Sequence, residues 1–290
     1  YYRGDGTYRY TLSVSPAMMK KRIFLRFEAA SQKAEVKLNG QEVGEHVGGF
    51  NAFCFEITPY VHSGENLLEV IVSNRKELNI APLEGDFTVF GGIYRPVSLL
   101  LLPKACITPL DYASSGVYVS QQVGERRADL SVVTKVDNGL KRVKELSVKT
   151  DVFDAAGKLV ATATTSQATE GQARLDFTNR LTVDNPMLWD GRKSPYLYRV
   201  FVELKRGKEV LDTLSQYVGL RSFRVDAEKG FILNGKPYKI KGVNRHQDRP
   251  DKGWAISSAD HREDMSLIKE IGANGIRLAH YPHSDEFYTL

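Results

Sequence analysis

Cysteine is scarce: Cys54 and Cys106 are the only two in 290 residues. Two thiols cannot build the disulfide framework that replaces a core in small secreted domains. Cys54 lies within Phe53-Cys54-Phe55-Glu56-Ile57 and is expected to be a buried free thiol, so the redox compartment stays open. Long apolar runs are also missing. Val97 to Leu102 is broken by Ser98, far short of the roughly 20 residues of a membrane helix. Charge of one sign is not concentrated either. The formal +5 comes from 40 basic and 35 acidic residues, divided 11 and 11 over 1–103, 19 and 14 over 104–224, and 10 and 10 over 225–290. The excess falls in the middle segment, interleaved with acids and apolar residues, so no nucleic-acid face is expected. The chain opens on Tyr1 without a methionine or a basic-then-apolar leader. Either a signal was removed or the chain is an excised piece, and a periplasmic or secreted setting is favoured over the cytoplasm.

What is present is β grammar. With 42% hydrophobic and 26% charged residues the chain can bury a real core, and its length predicts two domains or three small ones. Tyr8 to Val14, Ile23 to Phe27, Ala34 to Leu38 and Leu67 to Val72 alternate with period two. Asn39-Gly40 is a hairpin signal and Gly48-Gly49 marks a further turn. The first hundred residues therefore predict a jelly-roll sandwich. From Pro103 to Arg224, strands are expected over 116–119, 128–136, 146–153, 175–181, 196–204 and 211–218, punctuated by Asn138-Gly139, Ala156-Gly157 and Arg206-Gly207. That spacing fits an immunoglobulin-like sandwich.

Near Gly230 the pattern changes. A strand is expected over 238–243, then a polar loop over 244–258. Ser257 followed by Asp260 caps a helix with Met265, Ile268 and Ile271 on one face and Gly272 as its stop. A second strand over 276–279 and a second helix from Asp285 follow. Strand, helix and strand in about 37 residues read as a βα unit with parallel strands. A closed (β/α)8 barrel needs about 250 residues, whereas about 60 follow Gly230. The expected fold is mainly β: a jelly-roll sandwich (1–103), an immunoglobulin-like sandwich (104–224) and the first two βα units of an incomplete (β/α)8 barrel (225–290).

The two barrel-type strand ends are loaded with polar groups. Asn244-Arg245-His246-Gln247-Asp248-Arg249-Pro250 follows the first, and Arg277, His280, Tyr281 and His283 lie at and after the second. Ligand sites in parallel α/β folds form beyond the carboxyl ends of strands, so adjacent strands place His246 and His280 at one mouth. The ordinary alternative is a set of solvated loop residues. A metal site from His246, His280 and His283 is disfavoured, because Pro282 breaks the spacing and no carboxylate is fixed beside it.

Gly242-Val243-Asn244-Arg245-His246 with Gly272 to Pro282 resembles the opening of the catalytic barrel of family two glycoside hydrolases, which include β-galactosidases, β-glucuronidases and β-mannosidases. Val36 to Gly40, Gly48-Gly49-Phe50 and Phe90 to Arg95 resemble that family's sugar-binding-type domain. Asn185 to Trp189, Pro195 to Tyr198 and Gly219 to Arg224 resemble its immunoglobulin-like domain, and Phe231 to Pro237 the lead into the barrel. The resemblance implies a retaining exo-β-glycosidase whose two catalytic glutamates lie on later barrel strands. Glu263, Asp264, Glu270 and Glu286 do not match that motif, so no catalytic residue is assigned in this chain, and the 290 residues alone are expected to be inactive.

The resemblance carries over a sugar-contacting rim: His246, His280, Arg277 and, across a one-residue gap, Asp86 in Leu83-Glu84-Gly85-Asp86-Phe87. Directional donors of this kind suit a hydroxyl-rich ligand. Tyr94, Trp189, Tyr196 and Tyr198 are expected to pack rather than to form sugar platforms. The implied substrate is a terminal β-galactoside, since His246 to Pro250 looks closest to the galactosidase branch, with β-glucuronides and β-mannosides as alternatives. No nucleic-acid or membrane partner is expected. A homo-oligomer is compatible, and the cofactor is unassigned, a monovalent or divalent cation in the full enzyme being admitted. Two other readings compete. A lectin-like 1–103 module would titrate galactosides by itself, and a bracing scaffold would leave turnover unchanged when His246 or His280 is replaced.

Overall fold

A computed structural model describes every residue except Tyr1, Glu84, Val143, Lys144 and Glu170; Glu84 of the stretch Leu83 to Phe87 thus lies outside the described residues. The chain divides into two compact units, Leu102–Lys241 on the one hand and Tyr1–Leu101 with Gly242–Leu290 on the other.

In the discontinuous unit, seven strands come first: β1 Asp5–Val14, β2 Arg22–Phe27, β3 Lys33–Leu38, β4 Gln41–Val47, β5 Phe53–Glu56, β6 Gly64–Ser73 and β7 Val97–Leu102. They form a four-stranded sheet in the order β1-β6-β3-β4 and a three-stranded one in the order β5-β2-β7. Alternation explains the layering: along β6, Leu68, Val70 and Val72 are buried while Leu67 and Glu69 face outward. They meet Ile23, Leu25 and Phe27 of β2 and Val36 and Leu38 of β3 in one core. The β3–β4 hairpin turns on Asn39 and Gly40, with φ of 52° and 80°, the positive values a two-residue type I′ turn requires. Asn39 adds a second function, since its side-chain oxygen accepts the Leu67 N–H at 2.9 Å. β4 and the four-residue β5 escape sequence reading because both are edge strands with little apolar alternation. Cys54 is half-buried rather than fully buried, and burial pushes its thiol up to about 11, which keeps it protonated and inert.

The continuous unit holds β8 Ala105–Ile107, β9 Val117–Val123, β10 Arg127–Asn138, β11 Glu145–Phe153, β12 Leu159–Ala168, β13 Ala173–Asp184, β14 Tyr198–Arg206 and β15 Glu209–Val218. One sheet runs β13-β10-β8 with β9 also on β10, and the other β12-β11-β14-β15. Their inner faces share a core that includes Leu130, Val132, Val148, Phe177, Val200 and Val202. The sequence reading missed β8, only three residues long, and β12, which lies at a sheet edge and whose Thr-rich alternation leaves only exposed and half-buried positions. Gly219 marks a close approach, since a Cβ there would meet the Trp189 ring at 2.9 Å. Trp189, Tyr196 and Tyr198 are packing residues: Arg221 lies over Trp189, and the two tyrosines meet edge to face. The three short strands β16 Phe223–Asp226, β17 Gly230–Leu233 and β18 Lys236–Pro237 form a meander in this unit.

The rest of the discontinuous unit is a βα segment: β19 Gly242–Arg245, α1 Ser258–Glu270, β20 Gly275–Leu278 and α2 Asp285–Thr289. The expected strand over 238–243 is corrected to β19, which starts four residues later. The reason is local, because the Tyr238 N–H turns back to the Phe231 carbonyl at 2.8 Å. β19 and β20 pair in parallel, Gly242 opposite Gly275 through Arg245 opposite Leu278. Ser257 and Asp260 make a reciprocal capping box at the start of α1, and Gly272, with φ of 78°, lies just past its end. Ser257→Ala should lower unfolding free energy by about 1 kcal/mol in urea titration; an unchanged midpoint would show that Lys252 alone holds Asp260. The buried residues of α1 are polar, Asp260 and His261, while Leu267 and Ile271 are 54% and 69% exposed.

Candidate functional site

The parallel register decides where the functional groups emerge. Arg245 and Leu278 end the ladder as partners, and the Ala279 N–H extends it by donating to the Arg245 carbonyl at 2.9 Å. His246 and His280 therefore leave the same edge, and their rings meet edge to face with centroids 5.1 Å apart. Both are exposed. Arg277, level with Asn244, sends a guanidinium nitrogen to His280 Nδ1 at 3.0 Å. An arginine can only donate, so His280 Nδ1 accepts and, in the neutral ring, Nε2 carries the proton. The outcome is an imidazole N–H donor held in a defined direction at the mouth.

Asp86 is exposed in the 74–96 connection between β6 and β7. The next residue, Phe87, reaches the same mouth: its ring lies 5.6 Å from His280, 6.3 Å from His246 and 5.4 Å from Tyr281. The structure thus brings His246, His280 and Arg277 together and places Asp86 one residue from a ring that touches both histidines. Phe87 was missed by sequence reasoning, although it stands beside Asp86 in the stretch that carried the resemblance.

Beneath the mouth, aromatics join the βα segment to the sandwich. Trp254 is 2% exposed, with Phe50, Phe90, Tyr94 and Tyr281 all within 5.5 Å between ring centroids. Phe50 and Tyr281 stack at 4.2 Å with ring planes 3° apart. Such pairs add about 0.5–1.5 kcal/mol each beyond their burial, so this contact fixes the strand ends against the sandwich. Arg95 ties the same elements by donating to the Phe50 carbonyl at 2.9 Å, to Gln247 Oε1 at 3.0 Å and to the Pro282 carbonyl at 2.7 Å. Burial pushes the Tyr94 and Tyr281 phenols up to about 12, so neither acts as a base near neutrality. The only sequence signal for Trp254 was a lone tryptophan in an otherwise polar loop.

Under β19 sits a second assembly around Arg245, which is 5% exposed. Its guanidinium meets Asp264 at 2.6 and 3.0 Å, His283 Nδ1 at 2.9 Å and His261 Nδ1 at 3.1 Å, and it lies 4.0 Å above the Phe287 ring. Both histidines accept from it, so both are neutral; burial pushes His283 down to about 4 and holds His261 below the ordinary value. His283 Nε2 then faces the Ala279 carbonyl at 3.3 Å. This ring turns inward as a brace for the segment carrying His280. Among the described residues no group of three or more His, Cys, Asp or Glu side chains is arranged to hold a metal.

Four acids of the segment are committed to cations. Asp264 and Glu263 each lie 2.6 Å from Arg249, and Glu286 meets the Ser258 hydroxyl and Arg262. Lys252, followed by the Ser257 amide and hydroxyl, holds Asp260 far below the usual carboxylate range. A general acid needs its proton favoured by its surroundings, whereas Asp260 is held as an anion.

The discontinuous unit is a jelly-roll-type sandwich joined to a parallel βα segment, with His246, His280 and Arg277 at the strand ends. The chain belongs to glycosyl hydrolases family 2: the family's sugar binding domain matches residues 1–103, its central domain 115–221 and its TIM barrel domain 223–290. A β-glucuronidase from Bacteroides fragilis is 40% identical over 292 residues, covering 100% of this chain and 42% of that protein. A β-galactosidase from Bacteroides ovatus is 34% identical, covering 99% of this chain and 33% of that protein. The crystal structure of a Bacteroides uniformis β-glucuronidase superposes with a TM-score of 0.96 at 39% identity, over 100% of this chain and 35% of that one. The chain therefore spans between about a third and two fifths of the length of these relatives.

Proposed function

We propose that these 290 residues form the N-terminal modules (1–103, 104–224 and 225–290) of a retaining exo-β-glycosidase, with His246, His280, Arg277 and Asp86 contributing the glycone-facing rim. The juxtaposition of the two imidazoles, with Arg277 fixing the His280 tautomer, carries the reading. Retention requires two carboxyl groups about 5–5.5 Å apart around an oxocarbenium-like transition state. In this reading they come from elsewhere in the full-length polypeptide, because Asp260, Glu263 and Asp264 of α1 are spent on Lys252, Arg249 and Arg245. The rim residues hold the sugar hydroxyls and gain strength as charge develops on the ring, which is where binding raises the rate.

For the glycone we favour a terminal β-glucuronide. Relatives with that name reach 40% and 39% identity, and Arg277 is exposed and forms no ion pair among the described residues, so it suits a sugar carboxylate. A terminal β-galactoside is the second reading, supported by the loop His246 to Pro250 and by β-galactosidases at 34% and 33% identity. The full-length polypeptide assayed on aryl β-glucuronide, β-galactoside and β-mannoside separates them. A kcat/KM for the glucuronide about tenfold or more above the others is expected, tenfold corresponding to about 1.4 kcal/mol of differential transition-state binding. The reverse ratio selects the galactoside, and hydrolysis of none of them rejects the glycosidase reading. The 290-residue chain alone should give no turnover above blank.

A further inference from the structure

In this chain the two rim imidazoles are exposed, and exposed side chains exchange rotamers within nanoseconds unless something holds them. Among the described residues, Arg277 restrains His280 through Nδ1 alone. Among the described residues, the His246 ring forms no hydrogen bond or ion pair, and its ring neighbours are Phe87 and His280. We infer that Phe87 is the positioning residue of the rim: its face stacks on His280, with planes 29° apart, while its ring backs His246 and leans edge-on against the buried Tyr281. This inference rests on the glycosidase reading for its consequence in turnover, but not for its geometry.

The chain is shaped to deliver that ring. Asn74, 2% exposed, ties the start of the 74–96 connection to its return by donating to the Val89 carbonyl at 3.1 Å, and Gln32 donates to the Pro82 carbonyl at 3.2 Å. Between these anchors Gly85 lies directly against the aromatic, since a Cβ there would stand 2.7 Å from Phe87 Cε1. Any side chain at position 85 must displace the ring. The sandwich thus reaches the βα mouth with a hydrocarbon wall at Phe87, one residue after the exposed Asp86. The wall fixes two donors whose value depends on being held within about 0.5 Å of their working positions.

The test uses the full-length polypeptide with Phe87→Leu, Phe87→Tyr and Gly85→Ala, read by hydrolysis of the aryl β-glycoside it prefers and by peptide-resolved labelling of histidines with diethyl pyrocarbonate. Phe87→Leu keeps bulk but loses the ring, so kcat should fall by about tenfold to a hundredfold with KM within about twofold, the pattern of a misplaced catalytic geometry. His246 and His280 should label several-fold faster while the buried His283 is unchanged. Phe87→Tyr should restore both readouts, and Gly85→Ala should reproduce the labelling change with the aromatic still present. Wild-type labelling in both Phe87→Leu and Gly85→Ala would overturn the inference, as would equal losses in Phe87→Leu and Phe87→Tyr. If the wild-type polypeptide hydrolyses no glycoside, the functional reading falls while the labelling still decides the role of Phe87.

Discussion

Arg245→Met should lower the unfolding free energy by about 3 kcal/mol, the low end of the cost of removing one partner from a buried ion pair. Methionine fills much of the volume but donates nothing, so it leaves His283 Nδ1, His261 Nδ1 and one side of Asp264 without their donor. Each such loss exposes the desolvation cost of a buried polar atom. Asp264 retains Arg249, which keeps the effect from being larger. Chemical denaturation at neutral pH measures the loss; a change below about 1 kcal/mol, the upper end of what an exposed pair is worth, would show that Arg249 carries Asp264 alone.

The same hub gives stability a pH dependence. Burial is the main cause that pushes His283 down to about 4, the Ala279 carbonyl opposes it, and the Arg245 charge adds to it. In the unfolded chain the ring protonates near about 6.5, so between those values the unfolded state binds more protons. Its contribution is complete above about 6.5 and is lost as pH falls toward 4. Melting temperatures followed over this window should decline, and His283→Gln should flatten the decline.

The second large effect concerns turnover. His280→Ala in the full-length polypeptide should reduce kcat by about 10²–10³, the cost of removing one preorganised donor from a developing transition-state charge. Stability should change little, because in this chain the ring is exposed and, among the described residues, its hydrogen bond is to an exposed arginine. His280→Gln, which can still donate, should recover part of the loss. A His280→Ala enzyme with wild-type kcat would favour the bracing-scaffold reading, in which the strand ends serve only to hold the fold.

Much of this organisation was legible from period and turn chemistry alone. Leu68, Val70 and Val72 announce their strand by alternation, and Ser257 with Asp260 announces the α1 cap. Edge strands were harder: β4 and β12 carry too few buried apolar residues for periodicity to register. The start of β19 was misplaced because Tyr238 to Val243 has strand composition, whereas a backbone bond to Phe231 decides its conformation. For the site, His246, His280 and Arg277 follow from strand-end logic, since parallel register forces them together. Arg245, Trp254 and Phe87 do not follow. Their roles depend on partners up to 204 positions away, as for Phe50 against Trp254, and such pairings leave no local periodic trace.

The central claim is that the strand ends of β19 and β20 form the glycone rim. A crystal structure of the full-length polypeptide with an unhydrolysed glycone bound tests it most directly. Sugar hydroxyl or carboxylate oxygens are expected within about 3 Å of His246, His280 Nε2 or Arg277, the range of a hydrogen bond. A sugar bound in the mouth with no contact to either histidine, or seated only on the first sandwich, would contradict the account.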